Sequence, residues 1–262
     1  MKGMKRRKGR GIYLLPNLLT TASLFCGFYS MVATIDKKFT YACVAIFFSC
    51  VFDALDGRVA RMTGSSSRFG VEYDSLSDVI AFGVAPGLLV YIWALKAYGR
   101  FGWLAAFLFV TCGALRLARF NTQVDTVQKK QFLGLPIPAA AATIAGCILF
   151  FTEYGPEYGF LLQTKRIFMP ILVYVLAFLM VSNVRYHTFK DMAYFRNRPF
   201  ESIVAAVLLF VIVLIEPEIM LFAITLGYVV SGPVVSIVRG RKAIPEEQSH
   251  SKEGLAKQDG HL

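Results

Sequence analysis

The sequence predicts an all-α fold, a polytopic bundle of about eight helices embedded in a membrane. Three observations carry this. Of the 262 residues, 56% are hydrophobic, and the mean hydropathy is positive. The apolar residues fall into runs close to the roughly 20 needed to cross a bilayer. The surplus of Lys and Arg, a net charge of +11, gathers in the segments between alternate runs. One membrane domain over 12–240 accounts for this better than two soluble ones, with a basic segment, 1–11, before it and a polar tail, 241–262, after it. The tail, rich in Glu, Lys, Gln, Ser and Gly, reads as disordered. In a soluble protein such basicity would suggest nucleic acid. In a membrane protein it marks loops lying on anionic lipid, and no nucleic-acid partner is expected.

The opening MKGMKRRKGR followed by an apolar run has the charge order of a signal peptide. The run continues through Pro16 and Asn17 to about Ile35 without a persuasive cleavage site, so it is expected to stay as the first span. Spans are then predicted near 14–35, 39–61, 74–95, 101–120, 136–154, 167–184, 200–215 and 218–238. The fourth is interrupted by Gly102, Arg116 and Arg119, and the seventh is trimmed by Glu216-Pro217-Glu218. With a cytoplasmic amino terminus, only Lys37, Lys38, Lys96, Arg100, Lys165 and Arg166 of the 28 basic residues face the other side. This bias predicts a multi-pass protein of the cell (inner, cytoplasmic) membrane. The five cysteines lie in apolar stretches without CxxC spacing and read as small hydrophobes. No internal repeat suggests a transporter of inverted halves.

One polar stretch stands out, DALDGRVARMTGSSSRFGVEYDSLSD over 53–78. Asp53 and Asp56 are three apart and Asp74 and Asp78 four apart, so each pair shares a helix face. Two helix ends joined by a Gly/Ser-rich loop bring four carboxylates to one place, where cations are needed to neutralise them. Oxygen ligands without a nearby His or Cys favour Mg²⁺ or Mn²⁺, and a pair of such ions is a usual means of activating a diphosphate. Arg61 adds a permanent cation, while Gly57 and Ala60 leave room for a bulky anion. The plain alternative is a set of structural ion pairs with Arg58, Arg61 and Arg68.

Asp53-x-x-Asp56-Gly57-x-x-Ala60-Arg61, eight residues, Gly70-x-x-x-Asp74-x-x-x-Asp78 resembles the signature of the CDP-alcohol phosphatidyltransferases at every fixed position. Further along, LRLARFN (115–121) and FLGLPIPAAA (132–141) resemble the phosphatidylserine synthase branch of that family. The two resemblances cover roughly residues 12 to 142. They imply a six-helix family core plus two helices, commonly as a homodimer, and a cytoplasmic site that moves the phosphatidyl group of CDP-diacylglycerol to the hydroxyl of L-serine. CMP would be released.

In that scheme Asp53, Asp56, Asp74 and Asp78 hold a binuclear Mg²⁺ or Mn²⁺ centre, and Asp78 is also the general base. Gly57, Ala60, Arg61 and Ser67 attend the CDP-diacylglycerol nucleotide and phosphates. Asn17 and Thr20, from Pro16-Asn17-Leu18-Leu19-Thr20, either contact the nucleotide or only cap the first helix. Arg116, Arg119 and Asn121 are candidates for the serine carboxylate; for the two arginines, snorkelling to headgroups is the bland alternative. A glycerol-phosphate or inositol-phosphate acceptor is the alternative within the family. A polytopic cation transporter is the alternative from another class, disfavoured because the acidic groups gather at one membrane face. The stretch NVRYHTFKDMAYFRNRP (183–199) reads as an interfacial segment, with His187 a weak candidate for a base.

Overall fold

The computed structural model describes residues 14–64, 67–123, 132–186 and 215–242. They form seven long helices: α1 (Leu14–Ile35), α2 (Phe39–Thr63), α3 (Arg68–Trp93), α4 (Gly99–Gln123), α5 (Ile137–Glu153), α6 (Gly159–Val181) and α7 (Pro217–Lys242). Among the described residues, six are long and apolar enough to cross a membrane. The seventh, α5, has 17 residues and is buried on most of its surface. All but the last residue of the predicted span at 200–215 lies outside the described residues, so the expected count of eight stands at seven helices among them. Segment 1–11 and its continuation to 13, residues 65 and 66, the loop 124–131, His187 with the rest of its segment to 199, and the tail from 243 also lie outside them.

α1 and α2 form the closest helix pair. Ser23 and Ser49 meet between them, hydroxyl to hydroxyl at 2.8 Å, each also within reach of the other's carbonyl. Backbone groups in a membrane need partners inside the chain, and small polar residues let the helices approach while supplying them. α5 lies centrally against α2, α6 and α7. Ile144 and Ile148 of α5 are fully buried with Phe82, Phe109, Met169 and Leu176 from its neighbours. Many large side chains outside this core, such as Phe25, Phe28, Phe107 and Phe178, remain exposed, as expected of a bundle whose solvent is hydrocarbon.

α3 is continuous but not uniform. Its middle, Val79–Val84, is π-helical, with the Ala85 N–H donating to the Ile80 carbonyl five residues back. Pro86 follows directly and has no N–H to offer Phe82, so the loosened turn sits where the α ladder must break.

Pro136 stands at the N-cap of α5 and Pro138 in its first turn, where a missing N–H costs nothing. Just before it the sequence reading missed a short antiparallel ladder: Phe132–Leu133 (β1) pairs with Arg185–Tyr186 (β2). Gly134, at φ 81°, continues the chain in the left-handed region, and its N–H donates to the Val184 carbonyl at 2.9 Å. The Tyr186 hydroxyl then donates to the Val229 carbonyl, tying α7 to this ladder.

Candidate functional site

The two ends of the polar stretch are built by opposite helix-terminal devices. α2 stops at Gly64, whose φ of 58° is left-handed, and the Gly64 N–H returns to the Ala60 carbonyl. α3 starts from an extended Ser67, whose hydroxyl accepts from the Gly70 N–H at 3.0 Å. The Gly cap and the Ser cap are only three positions apart, so the chain turns back between them. Asp53 and Asp56 near the end of α2 therefore face Asp74 and Asp78 near the start of α3.

Ligand oxygens of Asp53, Asp56 and Asp74 lie within 4.8 Å of one another. Asp78, one turn deeper on α3, stands beside Asp53. It is buried, and its Oδ1 has no hydrogen-bond partner. Among the described residues the ion pair within 4.0 Å is Lys38–Asp36, far along the chain from these carboxylates. The structural ion pairs to Arg58, Arg61 or Arg68 weighed above are thus not formed. Three carboxylates this close repel one another unless a cation lies among them, and one buried orphan oxygen beside them needs a partner of the same kind. The donor set is oxygen only, because the neighbouring Cys50 thiol turns away to the Pro138 carbonyl at 3.8 Å. It fits a hard divalent ion.

Thr20 does not act only as a helix cap. Its hydroxyl lies 2.7 Å from Asp56 Oδ2 and 3.1 Å from the Pro16 carbonyl, and donates toward the carboxylate from across the α1–α2 interface. Asn17 lies against the start of α3, its Oδ1 3.3 Å from where a Cβ on Gly70 would stand. Thr20 is therefore brought to the aspartate cluster, and Asn17 to the first turn of α3. The Arg61 guanidinium folds over Gly57, with a terminal nitrogen 3.4 Å from where a Cβ there would be, and interacts with Asp56 electrostatically. Ala60 is half-buried on the same flank. Ser67 is brought near as well, though its oxygen is already engaged in capping.

The arginines of α4 part company. Arg116 is half-buried, facing Asp78 and Tyr228, with its Nε lacking a partner. Arg119 is exposed, and a terminal nitrogen donates to Asn183 Oδ1 at 3.0 Å. Asn121 donates to Ser75 Oγ at 3.0 Å, holding the end of α4 to α3 between Asp74 and Asp78. Tyr73, Ser75, Ser77 and Tyr228 were not singled out from sequence. Tyr73 meets the Thr21 hydroxyl at 2.9 Å, and Ser77 donates to the Thr20 carbonyl at 3.2 Å. Ser77 does carry a usable signal, since it follows Asp74 by three positions and so falls on the same side of α3.

The chain is similar in sequence to known proteins. The family model of the CDP-alcohol phosphatidyltransferases matches residues 13–231. A CDP-diacylglycerol–serine O-phosphatidyltransferase from Helicobacter pylori is 45% identical over 179 residues, 68% of this chain and 74% of that protein. An archaetidylserine synthase from Methanothermobacter thermautotrophicus is 40% identical over 185 residues, 70% of this chain and 73% of that protein. A CDP-diacylglycerol–serine O-phosphatidyltransferase from Mycobacterium leprae is 32% identical over 185 residues, 69% and 60% of the two chains.

Proposed function

From the premise that the chain belongs to the CDP-alcohol phosphatidyltransferase family, we propose that it transfers the phosphatidyl group of CDP-diacylglycerol to the hydroxyl of L-serine and releases CMP. The observation that carries the reading is the meeting of Asp53, Asp56 and Asp74 with an unpartnered Asp78 oxygen at facing helix ends. The relatives named above differ in their lipid but agree on serine. Serine is accordingly better supported than the ester or ether linkage of the donor.

Asp53, Asp56 and Asp74 would hold one divalent ion, with Asp78 completing a binuclear Mg²⁺ or Mn²⁺ site. Such ions, when bound, draw charge off the diphosphate and make CMP a better leaving group. Arg61, over Gly57, holds the donor phosphates, while Asn17 and the Ser67 end of α3 border the nucleotide. Thr20 fixes the Asp56 carboxylate. The free Asp78 oxygen takes the proton of the serine hydroxyl. The serine oxygen then bonds to the phosphatidyl phosphorus as the P–O bond to CMP breaks, with no covalent enzyme intermediate. Arg116, turned inward beside Asp78, is better placed than Arg119 for the serine carboxylate; Asn121 holds the helix that carries both.

The reading includes a cell-membrane protein with this site and the amino terminus on the cytoplasmic side. It also includes a homodimer, for which the exposed Ile224, Val230 and Val234 of α7 are available surface.

The test is CMP release by purified protein in micelles of CDP-diacylglycerol, offering L-serine, glycerol 3-phosphate and inositol phosphate separately, each with Mg²⁺, Mn²⁺ or a chelator. Release is expected with serine and metal only, with Asp78→Asn lowering it about 10²–10⁴-fold, the usual contribution of a general base. Release with another alcohol would reject serine, and release unaffected by the chelator would reject the metal site.

A further inference from the structure

A second feature lies at the opposite end of α3. The end of α3, the turn Leu95–Tyr98 and the first half of α6 border a half-open cavity of ≈ 480 Å³ lined by Trp93, Ala94, Ala97, Tyr98, Lys165 and Arg166. Trp93 follows Asp74 by 19 residues on one continuous helix. At about 1.5 Å per residue that is roughly 28 Å, close to the thickness of a bilayer's hydrocarbon core. The cavity therefore lies at the other membrane face and takes no part in the phosphatidyl transfer.

Its charge is one-sided. Lys165 Nζ lies 3.9 Å from the centroid of the Trp93 ring. Among the described residues, neither Lys165 nor Arg166 has a carboxylate within 4.0 Å. The ring quadrupole offsets part of the Lys165 charge, but among the described residues no ring or carboxylate does the same for the Arg166 guanidinium. The Tyr98 hydroxyl donates to the Arg166 carbonyl and fixes the rim. Lys96 and Arg100, both exposed, add to the positive field from the adjoining turn. Beside the rim stand two bare apolar side chains, Phe101 at 75% and Ile167 at 71% exposure. A complementary ligand thus has an anionic head and hydrocarbon next to it.

We propose that this cavity binds the phosphate of an anionic phospholipid from the leaflet opposite the aspartates. A soluble phosphate ester shares the head chemistry but offers nothing to the apolar side chains beside the rim, so the lipid is the assigned source. The proposal needs only that the chain spans the membrane, and it does not depend on which alcohol the aspartate site uses.

The chain has two tryptophans, so Trp103→Phe leaves Trp93 as a reporter beside Lys165. In neutral detergent, the emission of Trp93 should change saturably with added phosphatidylglycerol as its phosphate draws the ammonium from the ring. Phosphatidylcholine should act at least ~10-fold more weakly, since its own cation competes for the phosphate. In this background Lys165→Gln should abolish the response, Lys165→Arg should keep it, and Arg166→Gln should weaken binding at least ~5-fold. CMP release by the same preparations reports that each variant is folded. An undiminished response in both Gln variants, or equal responses to the two lipids, would overturn the site. Saturation by glycerol 3-phosphate as readily as by phosphatidylglycerol would overturn the lipid assignment.

Discussion

Asp56 shows how one side chain from a neighbouring helix prepares a ligand. Its carboxylate is buried and receives the Thr20 hydroxyl at 2.7 Å. Groups that orient a metal-binding carboxylate without touching the metal typically affect affinity or activity 10–100-fold. Thr20→Val keeps the shape and removes the donor, so it should raise the Mg²⁺ or Mn²⁺ concentration for half-maximal CMP release about 10–100-fold, and Thr20→Ser should restore it. An unchanged metal requirement in the Val variant would remove Thr20 from the site. That Asp53 pairs with Asp56 and Asp74 with Asp78 on one face each was legible from spacing, because three- and four-residue separations on a helix leave little room for another arrangement. The role of Thr20 was not, because a bond across 36 positions depends on how α1 and α2 pack. Arg116 and Arg119 show the same limit at finer grain: three residues apart leaves about 60° between them. At the edge of a bundle that is enough to turn one inward and the other to Asn183.

At the scale of elements, the position of α3 against α1 decides whether the carboxylates meet. Gly27 makes the approach possible: a Cβ there would stand 2.6 Å from the Ala81 Cα and 2.7 Å from its Cβ. Ala81 belongs to the π-helical turn that follows Asp78, so backbone rather than a pliable side chain would have to give. Gly27→Ala should therefore destabilise the protein by about 1–3 kcal/mol, the usual cost of overpacking. Ser23→Ala, which removes an interhelical hydroxyl, should cost about 0.6 kcal/mol, the typical worth of such a bond in a membrane. Thermal unfolding of both variants in the same detergent checks the order, and equal losses would refute the argument from close approach. The helices themselves were readable from hydropathy. The π-turn and the two-residue ladder were not, since Pro86 marks a break without saying how it is resolved, and β1 and β2 pair across more than 50 residues.

Across the whole molecule, the two charged regions lie at opposite ends of the bundle, and their assignment to membrane faces rests on the asymmetry of Lys and Arg. In the sequence, six basic residues fall in the loops expected on one side, and the remainder, including the cluster before the first apolar run, in segments expected on the other. Each basic residue moved to the wrong side opposes insertion, so orientation is a property of the sum rather than of any loop. Lys38, beside the α1–α2 turn, and Thr63, at the far end of α2, stand 25 residues apart on that helix and its cap. At about 1.5 Å per residue they are roughly 38 Å apart, on opposite sides of a bilayer core. Both positions are exposed, whereas the native cysteines are buried or half-buried within helices. A membrane-impermeant maleimide should label Lys38→Cys in intact cells, and Thr63→Cys only after permeabilisation. The reverse pattern would put the aspartates outside the cell, where a nucleotide-activated lipid would not reach them. It would also place the Trp93–Lys165 cavity on the cytoplasmic leaflet, so the same labelling fixes the leaflet from which each of the two sites draws its lipid.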